Sequence, residues 1–103
     1  MLEKALILAA KAHTGQVDKG GAPYILHPIR VMLACEGEKE KIVALLHDTL
    51  EDTALTAADL RCAGFSEEIV QAVCCLTRGQ KEDYMDYIAR ICENALAARV
   101  KYA

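Results

Sequence analysis

Aromatic residues are scarce: the 103-residue sequence has no tryptophan and one phenylalanine, Phe65. A core must therefore be built from aliphatic side chains, which a hydrophobic fraction of 53% supplies for one domain. No cluster of Lys or Arg occurs and the net charge is −3. That argues against nucleic acid as a partner, because such binding rests on basic contacts to phosphate. No apolar run is long enough to span a bilayer; the opening stretch carries Glu3 and Lys4 and breaks at Lys11. It also lacks the basic flank and cleavage pattern of a signal peptide, so a membrane is not an expected partner. The cysteines (Cys35, Cys62, Cys74, Cys75 and Cys92) form no CxxC pair and are odd in number. Most stand among apolar residues, as small buried thiols do, and a reducing cytoplasm is the expected location. No stretch alternates with period two, which leaves an all-α domain of five to seven helices. An oligomer is compatible with this composition.

Residues 2–12 carry aliphatics on a helical period and end a first helix near His13. Residues 14–23 are rich in turn formers and read as a loop. His27 precedes Pro28, which disfavours helical geometry at His27 and makes it a helix N-cap with Pro28 at the first helical position. That helix runs to about Cys35, and Gly37 separates it from a helix over residues 39–52. Thr56-Ala57-Ala58-Asp59 opens a short helix that ends at Gly64. Ser66 caps another, with Glu67 and Glu68 in its first turn. Asp83 opens the last helical segment, which Asn94 interrupts before residues 95–103.

Chemistry concentrates in Leu45-Leu46-His47-Asp48-Thr49-Leu50-Glu51-Asp52-Thr53. At about 100° per residue, His47, Asp48, Glu51 and Asp52 share one stripe of a helix. Ile42, Leu46 and Leu50, with Val43 beside them, share the opposite one. Three carboxylates crowded beside an imidazole repel one another unless a cation sits among them. A metal site and a solvated acidic face are the two readings of this stripe. Imidazole with carboxylate suits a borderline or hard divalent metal. His27, fixed at a helix start after a Gly-rich loop, is a second candidate ligand, and a simple N-cap role for it stays open. His13 reads as a helix-end residue near the C-terminal dipole.

With Ala12-His13-Thr14-Gly15-Gln16, Pro23-Tyr24-Ile25-Leu26-His27-Pro28 and the His47-Asp48 stretch in this order, the sequence resembles the HD hydrolase domain of the RelA/SpoT homologues. The likeness is closest to the small, stand-alone hydrolases of the alarmone (p)ppGpp. It implies an all-helical HD-domain bundle holding Mn²⁺, or another divalent metal, with two histidines, the His-Asp aspartate and a later aspartate. By position the first three ligands are His27, His47 and Asp48. Glu51 and Asp52 match the family's acidic pair, implicated in activating the attacking water, and Lys19 and Tyr24 are candidates for substrate contact. The implied reaction is metal-dependent removal of the 3′-diphosphate of (p)ppGpp, giving GDP or GTP and pyrophosphate.

Two positions depart from the family pattern. Asp18-Lys19 stands where the family usually has a basic pair, and the chain stops at Ala103, before the position of the later aspartate. The expectation is therefore a single HD-type domain truncated at its C-terminal end. An HD phosphohydrolase acting on another nucleotide, and a catalytically silent nucleotide-binding or interaction module, are the competing readings.

Overall fold

Eight helical segments follow one another as α1 (Leu2–Ala12), α2 (Leu26–Ala34), α3 (Glu38–Leu46), α4 (Thr49–Asp52), α5 (Ala57–Cys62), α6 (Glu67–Leu76), α7 (Tyr84–Cys92) and α8 (Ala95–Lys101). They are seen in a computed structural model that describes residues 1–79 and 81–102. Seven of them span six residues or more and α4 is a single turn, so the expected all-α bundle is what forms. Among the described residues, β structure is confined to an isolated bridge between Val17 and Pro23. No described helix is long and apolar enough to cross a membrane. Ala103, to which the last helix was expected to run, lies outside the described residues.

The packing is arranged around α3. Ile42, Val43, Ala44, Leu45 and Leu46 are consecutive and all buried, and a helix that is apolar all round belongs inside. The one-sided stripe expected at Ile42, Val43, Leu46 and Leu50 thus understates its burial. Helices α1, α2, α6 and α8 surround it. Helix α1 turns Ala5 and Ala9, both fully buried, toward the core. Their i,i+4 spacing places two small side chains on one face.

Local signals in the sequence set most of the helix boundaries. Thr56 and Asp59 make a reciprocal capping box at α5. Ser66 accepts from the Ile69 N–H at the start of α6. Asn94 accepts from the Ala97 N–H and separates α7 from α8. Gly64, at φ +96°, supplies the left-handed turn after α5. Of the free cysteines, Cys35 and Cys75 are buried, Cys74 is half-buried, and Cys62 and Cys92 are exposed.

Two boundaries differ from expectation. The helix over residues 39–52 is not continuous: it breaks at His47-Asp48 into α3 and α4. Side-chain donors cause the break, since His47 Nδ1 bonds the Ala44 carbonyl and the Thr49 hydroxyl donates to the Leu46 carbonyl at 2.7 Å. A continuous helix would give those carbonyls to backbone N–H groups. His27 is also not an N-cap. Helix α2 starts at Leu26, and Ile25 occupies the cap position. The Leu26 and His27 N–H groups bond the Pro23 and Tyr24 carbonyls, winding the chain into the helix from the turn before it. Pro28 then falls in the first turn, where a missing N–H costs nothing.

The C-terminal helices are tied to the end of α6 by side chains. Arg90 donates to the carbonyls of Cys75 at 2.8 Å and Thr77 at 3.1 Å while pairing with Glu82 at 2.8 Å. The Tyr87 hydroxyl donates to the Leu76 carbonyl at 2.6 Å. These bonds occupy carbonyls that a helix end leaves without partners, and they bring α7 and α8 against the face where α3 ends.

Removing the centre of this arrangement should be costly. Leu45→Ala should lower the unfolding free energy by about 2–5 kcal/mol, because Leu45 is fully buried. Leu33→Ala should change it by less than about 0.5 kcal/mol, because Leu33 is 69% exposed. Denaturant titration of the two variants checks both values.

Candidate metal centre

The break between α3 and α4 is where the polar side chains converge. His47 closes α3, Asp48 begins the turn into α4 with φ −96° and ψ −3°, and His27 projects from the first turn of α2. His47 Nε2 lies 3.2 Å from Asp48 Oδ2, and His27 Nε2 lies 3.4 Å from the same oxygen. The two imidazole rings are 5.5 Å apart. One donor atom from each of the three residues falls within 4.8 Å of the others. Ligands about 2.1 Å from a shared ion, in tetrahedral or octahedral geometry, stand about 3.0–3.4 Å apart, so the two measured separations suit such an ion.

Hydrogen bonding fixes which atoms face inward. With its Nδ1–H given to the Ala44 carbonyl, His47 presents the lone pair of Nε2 to Asp48, itself an acceptor. Two acceptors held 3.2 Å apart require a proton or a cation between them. Burial alone would lower the His47 pKa, but the hydrogen bond and charge of Asp48 outweigh it and the pKa is raised. Burial likewise opposes ionisation of Asp48, yet bonding to His47 and Tyr24 keeps its pKa low. The carboxylate is oriented by the Tyr24 hydroxyl, which donates to Asp48 Oδ2 at 2.7 Å and lies 3.4 Å from Asp52 Oδ2. Burial and bonding to Asp48 push the Tyr24 pKa far up, so the hydroxyl stays a donor. Two imidazoles and a carboxylate, with a carbonyl behind His47 and a phenol behind Asp48, are the donor set and outer support that a divalent metal takes.

A cleft of about 350 Å³ opens over these three residues, with Glu51, Tyr87 and Lys101 on its walls and Val31, Leu76 and Val100 as its apolar lining. Burial, and then the charges of Asp52 and Asp48, raise the Glu51 pKa. A raised carboxyl pKa moves the group toward the range useful for proton transfer.

The other expected site residues are placed differently. Asp52 is not among the residues lining the cleft; its carboxylate faces Tyr24, and its carbonyl accepts from Gln16 Nε2 at 2.9 Å. Tyr24 does not line the cleft either, and its hydroxyl is committed to Asp48. Lys19 is exposed in the loop and is absent from the cleft walls. Its neighbour Asp18 builds that loop, accepting from the Gly20 and Ala22 N–H groups at 2.8 and 3.0 Å. His13 closes α1, as read from the sequence, but it is also 2% exposed and bonds Gln16 at 3.0 Å, which links α1 to the end of α4. Tyr87 and Lys101 were not read as site residues. They reach the cleft through packing of α7 and α8, for which a single sequence carries only the helical spacing of Tyr84 and Tyr87 as a signal.

A pH test follows from the pair. In the metal-free protein, the raised His47 pKa favours folding below the ordinary histidine value of about 6.5, and this contribution is lost as pH rises through the folded-state pKa. The lowered Asp48 pKa acts in the opposite direction, and its contribution is lost as pH falls below the ordinary aspartate value of about 3.9. Metal competes with the His47 proton, so divalent-metal affinity should rise with pH through the His47 titration. Thermal melts from pH 5.5 to 8.5, with and without metal, should show metal-free stability falling and the metal-dependent gain growing.

No protein-family model matches the chain. Among curated proteins, a GTP pyrophosphokinase of Myxococcus xanthus is 40% identical over 65 residues, covering 58% of this chain and 8% of its own length. A guanosine-3′,5′-bis(diphosphate) 3′-pyrophosphohydrolase of Vibrio cholerae is 33% identical over 89 residues, covering 82% of this chain and 12% of its own length. The chain thus spans about a tenth of the length of these curated relatives. Among solved structures, a metazoan orthologue of SpoT described as hydrolysing ppGpp matches with a TM-score of 0.80 at 24% identity. That match covers 97% of this chain and 63% of the other, and it establishes a shared fold. The chain is thus similar over most of its length to a part of these (p)ppGpp-named relatives, and it shares its fold with the metazoan SpoT orthologue.

Proposed function

We propose that this chain is a Mn²⁺-dependent phosphohydrolase domain that removes the 3′-diphosphate of (p)ppGpp, releasing GDP or GTP and pyrophosphate. The observation that carries the reading is the convergence of His27, His47 and Asp48 at the floor of a cleft that Glu51 also lines. The relatives named for (p)ppGpp hydrolysis support the choice of substrate.

His27, His47 and Asp48 would hold the metal, which would supply Lewis acidity toward a phosphoryl oxygen and lower the pKa of a bound water. The chain's own residues do the rest. The Ala44 carbonyl keeps the His47 proton on Nδ1, so that Nε2 remains available. Tyr24 holds Asp48 in one orientation through its hydrogen bond to Oδ2. Glu51, its pKa raised by burial and by neighbouring carboxylates, accepts the proton of the attacking water and returns one to the departing oxygen. Asp52 acts from behind this group: its charge lifts Glu51, and its carboxylate faces the Tyr24 hydroxyl. Val31, Leu76 and Val100 provide the apolar wall against which a nucleotide can lose water.

The Mn²⁺-loaded chain, incubated with ppGpp, should release pyrophosphate and GDP in equal amounts. Glu51→Gln should slow release by roughly 10²–10⁴-fold while metal content stays near that of the wild type. Loss of metal in Glu51→Gln equal to that in His47→Ala would make Glu51 a ligand. An intact, Mn²⁺-loaded chain that leaves ppGpp unchanged while cleaving another nucleotide would overturn the substrate assignment.

A further inference from the structure

The cleft walls carry one lysine and no arginine. Lys101 is the last residue of α8, is exposed, and lines the cleft together with Asp48, Glu51 and Tyr87. Its Nζ stands 5.8 Å from the centre of the Tyr87 ring, a cation–π contact that limits where the flexible side chain goes. Tyr87 is itself fixed, with its hydroxyl on the Leu76 carbonyl. The remaining ionisable groups of the cleft are two imidazoles, two carboxyls and the Tyr87 phenol, so beyond a metal at His27, His47 and Asp48 the lysine is the cation that can meet a polyanionic substrate. Lys19, the basic residue expected for that purpose, is not on the cleft wall.

We propose that Lys101 binds the diphosphate group of the substrate, donating from Nζ to its non-bridging oxygens from its position beside the Tyr87 ring. This rests on the phosphohydrolase reading above. An ammonium group binds phosphate as a point charge, and a position at the C-terminal end of α8 suits a cation as well. The second of these would hold Lys101 there with no ligand at all, so the test has to separate ligand binding from helix stability.

Inorganic pyrophosphate is the probe, and guanosine, which carries no charge, is the control. Both are titrated into the Mn²⁺-loaded chain as wild type, Lys101→Gln and Lys101→Arg. Pyrophosphate should bind about 10-fold or more weakly to Lys101→Gln, in line with loss of a charge-assisted bond, and near wild-type strength to Lys101→Arg. Guanosine affinity and bound Mn²⁺ should stay constant across all three. Equal pyrophosphate affinity in wild type and Lys101→Gln overturns the proposal. So does a parallel loss for guanosine, which would signal a structural role, or a wild type that binds no pyrophosphate. A chain whose pyrophosphate binding depends on Lys101 but which does not hydrolyse ppGpp would refute the functional reading and leave the Lys101 site standing. Hydrolysis with an unchanged KM and pyrophosphate affinity in Lys101→Gln would do the reverse.

Discussion

Two hydrogen-bond acceptors held against each other define this protein. His47 Nε2 and Asp48 Oδ2 are 3.2 Å apart, and the Ala44 carbonyl keeps the imidazole proton on the far nitrogen. Such a pair is unfavourable unless a positive charge occupies the space between. The strain is local, but the means of holding it extends through the fold. The helix breaks between α3 and α4 to present both groups together, and Tyr24 turns the carboxylate toward the histidines. The buried run over residues 42–46 anchors the end of α3 that carries the break. A rigid apolar element carrying polar groups at its end is the arrangement a pre-organised site requires.

Much of this was legible in the chain because the signals are local. The caps at Thr56, Ser66 and Asn94 act within three residues of themselves, and sequence spacing describes such contacts well. The break at His47-Asp48 was not legible, for a physical reason. No Gly or Pro marks it; it arises because His47 and Thr49 side chains take carbonyls from the helix. The pre-proline rule misplaced His27 because the turn at residues 23–25 winds the helix from upstream and overrides the local preference. Even so, the histidine stays in the first turn, because the helix start moves by only two residues.

Long-range placement is where sequence reasoning reached its limit. Tyr24 sits 24 residues from Asp48 in the chain, and no local spacing signals that its hydroxyl donates to that carboxylate. Asp18 looked like a reversed charge beside a polyanion; its carboxylate instead closes the turn at Gly20 and Ala22. Lys101 and Tyr87 enter the site only because Arg90 and Tyr87 fasten α7 to the end of α6 and α8 follows. The cation of the cleft is therefore delivered by tertiary packing, from a helix remote in sequence from the acidic groups it faces.

The central claim is that one ion belongs between His27, His47 and Asp48. Diffraction from Mn²⁺-soaked crystals, collected at a wavelength where manganese scatters anomalously, tests it most directly. A single peak bonded to Nε2 of both histidines and to Oδ2 of Asp48, at roughly 2.0–2.2 Å, is the predicted result. A peak elsewhere, or an intact fold with His27 turned out of the cleft and no ion at Asp48, would contradict it.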